Sequence, residues 1–274
     1  MSDRPFPPPR KIAFILASTD HGMMIVNRFD FQTDKAGQGY GVGFKILDES
    51  SYELSEIGIG AYVLQARRTH FGNGVVALDC GANVGTHTVE WARLMTGWGS
   101  VIAIEAQEQI FHALGGNVTL NNCFNVRLIH AAVGNANGMM KIPSPDYQSP
   151  ASFGSLELKP TARPEFIGQE IDYADAALAP VRAVTIDSLA LKRLDLLKID
   201  VEGMEAEVLD GARRTIRQSL PVIIVEHLKS DAGQLVETLR HYGYSIAELG
   251  LNLLAVHPTD RTTEGFGGQV IAVT

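Results

Sequence analysis

The sequence predicts an α/β fold built on a doubly wound, mostly parallel sheet. Five short apolar runs have the length and composition of strands buried on both faces, and helical patterns separate most of them. These runs cover 75–78, 101–105, 126–133, 195–200 and 221–227. Strands that alternate with helices imply right-handed crossovers and a parallel sheet. Two further β runs, 244–249 and 252–257, form a terminal hairpin, which adds an antiparallel strand to the sheet.

Residues 1–50 are predicted to form an arm and a flap ahead of the main domain. Residues 1–10 are proline-rich and predict a loose arm. Two short β-like runs follow, MMIVNRF and GFKIL, and the glycine-rich segment DKAGQGYGVG between them predicts a hairpin. Residues 51–274 then form the main domain, which begins with an amphipathic helix from residue 54.

The alternation of strands and helices breaks between residues 134 and 180. This stretch contains six prolines, and β pieces are predicted within it at 138–142 and 152–158. It is too long for a simple connector, so we interpret it as a lid or substrate-binding insertion, with a surface excursion as the alternative. Regularity returns afterwards, and a helix is predicted over 203–218.

Composition narrows the functional class. A formal net charge of −8 without a dense Lys/Arg run argues against a protein that grips nucleic-acid phosphates. The two cysteines, Cys80 and Cys123, make no disulfide framework and indicate a reducing compartment. No apolar stretch approaches the roughly 20 residues that span a bilayer, and the N-terminus lacks the pattern of a signal peptide. We therefore expect a cytoplasmic protein with neither a nucleic-acid partner nor a membrane partner.

A glycine turn follows the first core strand. Asp79 ends the strand, and Gly81 and Gly85 bracket the turn as G-x-x-x-G, which lacks the third glycine of the dinucleotide pattern G-x-G-x-x-G. No Gly-Lys-Ser/Thr follows, so the turn is not a phosphate loop. An acid that leads into the turn suits a ligand with a cation and a free amine, and S-adenosylmethionine (SAM) carries both. A plain tight connection is the alternative interpretation.

Acidic residues end several of the predicted strands, where ligands bind in open α/β sheets. Glu105 ends the strand after the glycine turn, where a carboxylate can accept both hydroxyls of a ribose. Lys198 and Asp200 alternate along one strand, so they share a face and can pair.

Glu226 and His227 end the strand that follows, and His227 is a candidate general base for a substrate hydroxyl. Since Glu202 lies near Asp200 and Glu226, a hard divalent cation on these acids is a further alternative. No His-x-His or His-x-x-x-His pairing accompanies them, so the signal for a metal is weak.

Five separated blocks resemble the FkbM-type methyltransferases, a class I group that uses SAM. The blocks are LDCGANVGTHT, VIAIEA, VTIDSL, LLKIDVEGMEAEVLDGA and PVIIVEH. They agree with the family in order and spacing over about residues 75–228, whereas residues 1–50 carry no resemblance. The resemblance implies a Rossmann-like sheet of seven strands with an antiparallel last strand, SAM as methyl donor, and usually a hydroxyl oxygen as acceptor.

The resemblance also implies roles for single residues. Those implied to bind the cofactor are Asp79, Gly81, Asn83, Gly85, Thr88 and Glu105. Lys198, Asp200 and Glu202 fall on the family's Lys-x-Asp-x-Glu-Gly block near the reacting centre. Ala106 departs from the family, which usually has proline after the ribose acid.

These observations predict a SAM-dependent methyltransferase that methylates a hydroxyl on a small molecule or carbohydrate. A nicotinamide-dependent oxidoreductase of Rossmann type is one alternative, disfavoured by the missing third glycine. A protein that binds SAM without catalysis is the other. A nucleic-acid methylase fits less well, because no Asn-Pro-Pro-Tyr-like block follows the strand DLLKID.

Overall fold

Strands and helices alternate along most of the computed structural model, which describes residues 11–33, 36–161 and 164–262. The strands are β1 (Phe14–Thr19), β2 (Gly22–Asn27), β3 (Gln32–Thr33), β4 (Gly39–Tyr40), β5 (Val75–Cys80), β6 (Gly99–Glu105), β7 (Val126–His130), β8 (Ala132–Val133), β9 (Gly138–Pro143), β10 (Leu178–Val184), β11 (Leu196–Ile199), β12 (Val222–Glu226), β13 (Ser245–Leu249) and β14 (Asn252–Val256). The helices are α1 (Val42–Glu49), α2 (Leu54–Phe71), α3 (Thr86–Leu94), α4 (Glu108–Leu120), α5 (Glu205–Asp210), α6 (Arg213–Ser219) and α7 (Ala232–His241). No helix in these ranges is long and apolar enough to cross a membrane.

Seven of these strands form the central sheet, in the order β13-β14-β12-β11-β5-β6-β7. The five strands from β12 to β7 pair in parallel. By contrast, β14 runs antiparallel to both β12 and β13. The predicted fold class is confirmed: the sheet is mostly parallel, has seven strands and ends with an antiparallel strand. The chain reverses its direction of progress between β5 and β11, and such a switch point is where open α/β sheets bind ligands.

Helices cover both faces of this sheet. Because side chains alternate along a strand, Ala77 and Leu196 enter one apolar core while their neighbours Leu78 and Leu197 enter the other. Buried residues of α2, α3 and α4 belong to the first core, and those of α5, α6 and α7 belong to the second. The sheet is therefore wound on both sides, as the alternating pattern predicts.

The N-terminal region differs from its prediction. The run MMIVN is β2, as expected, but it pairs with β1. The prediction of a strand for GFKIL is wrong, since this run lies in α1. Val42 and Ile46 are buried four residues apart, and Lys45 pairs with Glu49 at 2.6 Å, which are both helical spacings. The predicted arm over 1–10 lies outside the described residues.

The side chain of Asn117 connects this region to the main domain. Asn117 in α4 accepts a hydrogen bond from the Ile25 N–H of β2 and donates one to the Ile25 carbonyl oxygen at 3.1 Å. Its amide also donates to the Val84 carbonyl oxygen at 2.8 Å, within the glycine turn. Asn117 thus links β2, which lies before residue 50, to the glycine turn. The boundary at residue 50 stays a prediction.

Of three predicted elements within and beside the insertion, two are revised and one is present. The strand predicted over 126–133 divides into β7 and β8, and β8 joins a small separate sheet of order β8-β10-β9. The strand predicted at 138–142 is present as β9, but the β piece predicted at 152–158 holds a 3-10 helix, Phe153–Ser155. The Phe153 side chain is fully buried and its N–H is held by Asp30, so tertiary contacts decide the local conformation.

The helix predicted over 203–218 is interrupted at Gly211 and becomes α5 and α6. A Cβ at Gly211 would lie 2.1 Å from the Gly134 carbonyl oxygen. Glycine at this position lets the start of the insertion pass close to the helix backbone.

Candidate active site

A cavity of about 330 Å³ opens at the carboxyl ends of β5, β6, β11 and β12. It spans the switch point of the sheet, and its volume lies at the lower end of the about 300–1,000 Å³ typical of ligand pockets. Its floor and sides come from strand ends, while Tyr40, Val42, Ser152 and Gly154 line it from the N-terminal region and the insertion. The sequence analysis predicts a ligand site at this edge of the sheet, where acidic residues end the strands.

The glycine turn forms one wall of the cavity. Gly81 has a φ of 82°, and a Cβ on it would lie 1.7 Å from the Asp200 carbonyl oxygen. The Gly81 and Ala82 N–H groups both donate to the Ile104 carbonyl oxygen, at 2.9 and 3.0 Å. These contacts fix the turn between the ends of β6 and β11. Gly81 and Asn83 line the cavity, as the sequence analysis expects of cofactor residues.

Three other predicted cofactor residues lie behind that wall. Asp79 is 1% exposed, and one of its carboxylate oxygens accepts a hydrogen bond from Thr88 Oγ1 at 2.6 Å. Its other oxygen, Oδ1, has no hydrogen-bond partner among the described residues. Gly85 has a φ of 91° and packs against Leu114. None of the three lines the cavity. They support the turn from beneath and do not form its surface.

Glu105 stands at the end of β6 and lines the cavity. Its two oxygens accept hydrogen bonds from the Asn83 N–H at 3.0 Å and the Gln107 N–H at 2.8 Å. Burial raises the pKa of Glu105 to about 7, and the backbone hydrogen bonds oppose that rise. A carboxylate has roughly four acceptor sites, so capacity remains for a ligand hydroxyl. Glu105 also holds the turn and the start of α4 together.

Lys198 and Asp200 pair as the alternation along β11 predicts. Lys198 is 3% exposed, and its Nζ lies 2.9 Å from Asp200 Oδ2. Burial lowers the pKa of Lys198, but the carboxylates of Asp200 and Glu56 outweigh it and hold that pKa well above its ordinary value. Lys198 therefore carries its charge at the base of the cavity.

Three further carboxyl groups of the cavity lie close to one another. Asp200, Glu202 and Glu226 each bring an oxygen within 4.8 Å of the other two. Burial, together with repulsion from Asp200, raises the pKa of Glu202 to about 8 and that of Glu226 to about 9. Lys229 lies 2.8 Å from Glu202 and offsets part of this charge. The repulsion would be relieved by a bound cation.

His227 is not on the cavity wall. It follows Glu226, which does line the cavity, and successive side chains leave a strand on opposite sides. The His227 N–H donates to the Leu251 carbonyl oxygen at 3.0 Å, and its Nε2 is buried without a hydrogen-bond partner among the described residues. His227 thus lacks the contact with the cavity that its predicted role as general base requires, and that role stays a prediction.

The sequence analysis missed several residues of the cavity edge. Tyr52, Glu53 and His87 line it, and Lys229 pairs with Glu202 just outside. His87 lies within the block LDCGANVGTHT, two positions after Gly85, and this proximity was its only signal. Tyr52 and Glu53 precede α2 in a segment with no recognised motif.

The donor set fits SAM. The carboxylate of Glu105 suits a ribose diol, and Asp200, Glu202 and Glu226 offer hydrogen-bond acceptors to the ammonium or hydroxyl groups of a ligand. Oδ1 of Asp79 is a buried acceptor without a hydrogen-bond donor among the described residues, so one more donor is needed beside the turn. Lys198 and Lys229 balance Asp200 and Glu202, and Glu226 holds a proton at neutral pH because its pKa is raised to about 9.

The chain matches one protein-family profile, described as "Methyltransferase FkbM domain", over residues 79–246. No match appeared in the comparison with curated proteins. Among solved structures, the chain is similar to methyltransferase FkbM from Methylobacillus flagellatus KT, with 16% identity, a TM-score of 0.45, and coverage of 71% of this chain and 47% of that chain. It is also similar to precorrin-6y C5,15-methyltransferase from Geobacter metallireducens GS-15, with 17% identity, a TM-score of 0.42, and coverage of 82% of this chain and 91% of that chain. The aligned part spans about half the length of the first of these proteins.

Proposed function

Because the chain belongs to the FkbM methyltransferase family, we propose that it transfers the methyl group of SAM to a hydroxyl oxygen of a small molecule or sugar. The family and the fold are those of SAM-dependent methyltransferases. The oxygen acceptor and its chemical class are our inference from the residues that line the cavity.

One observation carries this proposal: a single cavity brings the glycine turn and Glu105 together with Asp200, Glu202 and Glu226. The first group suits an adenosyl moiety and the second suits groups that donate hydrogen bonds or carry positive charge. A polyhydroxylated acceptor offers such donors. A phosphorylated sugar fits less well, because the ammonium groups of Lys198 and Lys229 already pair with Asp200 and Glu202.

SAM, when bound, supplies a methyl carbon on a positively charged sulfur, which leaves as a neutral thioether. The chain contributes position and charge. Gly81 and Asn83 would hold the donor along the turn, and Glu105 would accept the ribose hydroxyls. Asp200, with its orientation fixed by Lys198, would accept the acceptor's O–H and direct an oxygen lone pair at the methyl carbon. Holding two reactants in such a geometry can lower a barrier by about 7–11 kcal/mol.

The donor half is tested by calorimetric titration of SAM into the protein and its Glu105→Gln variant. We expect the variant to bind SAM at least about tenfold more weakly, because hydrogen bonds to a charged group contribute roughly 1.5–3 kcal/mol. Glu108→Gln is the matched control. Glu108 is exposed in the first turn of α4, and its substitution makes the same chemical change as Glu105→Gln. Equal affinity in both variants would remove Glu105 from the site.

The acceptor half is tested by incubating the protein with SAM labelled in its methyl group and with panels of neutral sugars, phenols, amino sugars and sugar phosphates. Label recovered in an ether bond of a neutral or cationic product supports the proposal. Label on nitrogen or carbon, or a preference for sugar phosphates, contradicts it. A parallel titration with NADH separates the proposal from an oxidoreductase, which would bind NADH in preference to SAM.

A further inference from the structure

A second group of ligating side chains lies at the cavity edge, outside the residues considered for the cofactor. Glu53 precedes α2, Glu56 lies in its first turn, and His87 lies in the first turn of α3. His87 Nε2 is 3.2 Å from Glu56 Oε1 and 3.8 Å from Glu53 Oε2. All three ligand atoms lie within 4.8 Å of one another. Ligands bound to one ion at about 2.0–2.2 Å lie roughly 3–3.6 Å apart, so small side-chain shifts would bring these three to a common centre.

His87 supplies an independent sign of a missing partner. The residue is 5% exposed, and its Nε2 has no hydrogen-bond partner among the described residues. The facing oxygen of Glu56, Oε1, is likewise buried and makes no aligned hydrogen bond among the described residues, although the 3.2 Å approach to His87 lets the two groups attract each other. Buried polar atoms are nearly always satisfied. A third species bound to both atoms would satisfy them.

The surroundings hold these ligands in place. Asn252 Nδ2 donates to the second oxygen of Glu56 at 2.6 Å, which fixes the carboxylate. The His87 ring packs edge-on against Trp91, with centroids 5.2 Å apart. Outer contacts of this kind orient the ligands of metal sites. Glu53 is the most exposed candidate of the three, since 34% of its side chain is accessible.

We propose that Glu53, Glu56 and His87 bind one divalent transition-metal ion, with Zn²⁺ or Mn²⁺ best matched to one imidazole and two carboxylates. Three protein ligands leave a coordination position open, and Glu53 and His87 both face the cavity. The role of the ion rests on the proposed function: the open position takes the acceptor hydroxyl.

A metal ion acidifies the hydroxyl it binds. The O–H bond then breaks and the proton leaves to solvent. The freed oxygen lone pair forms the bond to the methyl carbon, and the carbon–sulfur bond breaks with its electrons on sulfur. The ion thus activates the acceptor hydroxyl, whereas His227 lies outside the cavity wall.

Neighbouring charges favour this cluster over the other group of acids. Lys198 Nζ lies 3.9 Å from Glu56 Oε1 but only 2.9 Å from Asp200, which balances its charge first. The group Asp200, Glu202 and Glu226 has no imidazole, and ammonium groups already lie within 2.9 Å of Asp200 and 2.8 Å of Glu202. A cation with nitrogen affinity therefore prefers the site with His87.

The test is titration of ZnCl₂ and of MnCl₂ into the full chain after treatment with a chelator, followed by calorimetry. We expect one ion per chain. His87→Phe keeps the ring against Trp91 and removes the nitrogen ligand, so it should weaken binding by more than about 100-fold. Asn252→Ala removes only the outer contact and should weaken binding by about 10–100-fold. Glu53→Gln provides a second ligand variant if His87→Phe does not fold.

Glu226→Gln is the matched control, because it removes a carboxylate from the other group and should leave metal affinity unchanged. Loss of the ion in Glu226→Gln, or unchanged binding in His87→Phe and Glu53→Gln, would assign the ion elsewhere and overturn the proposal. The absence of stoichiometric binding would mean that His87 and Glu56 form an ion pair only. SAM titration of the same samples keeps the two proposals apart: intact SAM binding without metal binding rejects this inference alone.

Discussion

Gly81 is the residue at which the turn and the loop after β11 come closest. Its φ of 82° is left-handed, and an added Cβ would meet the Asp200 carbonyl oxygen at 1.7 Å. We expect Gly81→Ala to reduce the free energy of unfolding by at least about 3 kcal/mol, since left-handed strain and overpacking both contribute. Urea unfolding of the variant and the natural chain measures the loss.

Gly97 isolates the contribution of the close contact. It has a nearly identical φ of 80°, but no atom lies within 4 Å of an added Cβ. Gly97→Ala should therefore cost only the left-handed strain, about 1–2 kcal/mol. If both variants lose the same stability, the contact between Gly81 and Asp200 is not tight in solution.

Glu226 makes the stability of the ligand-free protein depend on pH. Burial and the charges of Asp200 and Glu202 raise its pKa from 4.5 to about 9. Between these values the folded protein keeps a proton that the unfolded chain has released. The free energy of unfolding therefore falls as pH rises through this window, by at most about 1.4 kcal/mol per pH unit.

Glu226→Gln removes this proton uptake, because glutamine stays neutral at every pH. Relative to the natural chain, the variant should gain stability from pH 6 to pH 8 in urea unfolding experiments. Glu237→Gln, at an exposed position of α7, controls for the replacement of a glutamate by glutamine. A constant difference between Glu226→Gln and the natural chain at both pH values would contradict the raised pKa.

At the residue scale, the sequence located the site but not the direction of each side chain. The order of strands and the glycine turn predict that Gly81, Glu105 and Asp200 meet at one sheet edge, and they do. Glu226 ends β12 and His227 follows it directly, and successive side chains of an extended chain point to opposite sides. Which of the two faces the cavity depends on how β12 packs between its neighbours, and that is a tertiary property.

Lys229 joins the insertion to the strand ends at the scale of elements. Its Nζ lies 2.8 Å from Glu202 and 2.9 Å from Glu165, and it donates to the Ser155 carbonyl oxygen at 2.5 Å. The side chain is 8% exposed. We expect Lys229→Met to lower the free energy of unfolding by about 2–3 kcal/mol, because it leaves buried acceptors unpaired. Glu165 and Glu202 keep some solvent contact, which limits the loss.

Lys159 offers a matched comparison, since it also pairs the insertion with a helix. Its Nζ lies 2.5 Å from Glu207 in α5, but the two side chains are 45% and 36% exposed. Exposed pairs contribute about 0–1 kcal/mol, so Lys159→Met should change stability little. Thermal unfolding of both variants tests the contrast. Similar losses would show that the Lys229 contacts are not specifically stabilising.

Elements were predicted best where apolar periodicity and burial agree. The β5, β6, β11 and β12 segments are apolar on both faces, and their positions followed from that composition. GFKIL has β-like composition, yet its glycine lies against the Asn27 carbonyl oxygen and its apolar residues cover one side of a helix. Short apolar runs do not distinguish strand from helix, so the packing partner decides.

At the scale of the whole molecule, two segments distant in sequence form one roof over the cavity. The Phe29 carbonyl oxygen accepts a hydrogen bond from the Ala151 N–H at 3.0 Å, and Asp30 forms a parallel bridge with Ala151. Sequence periodicity carries no information about contacts between positions more than 100 residues apart. The sequence could therefore predict a flap and an insertion, but not that the two are hydrogen-bonded to each other. Access to the cavity therefore depends on both segments together.

Asp30 is the residue that should couple them. It is 2% exposed, and its two oxygens accept hydrogen bonds from the Gly43 N–H at 2.9 Å and the Phe153 N–H at 3.0 Å. In Asp30→Asn one acceptor oxygen becomes an NH₂ group, so at least one buried N–H loses its partner at a cost of about 1–3 kcal/mol. Because the roof is shared, hydrogen exchange should accelerate in both 41–49 and 151–158, and β5 should be unaffected. Asp48→Asn, exposed on α1, is the control. Faster exchange in one segment alone would mean that the flap and the insertion open independently.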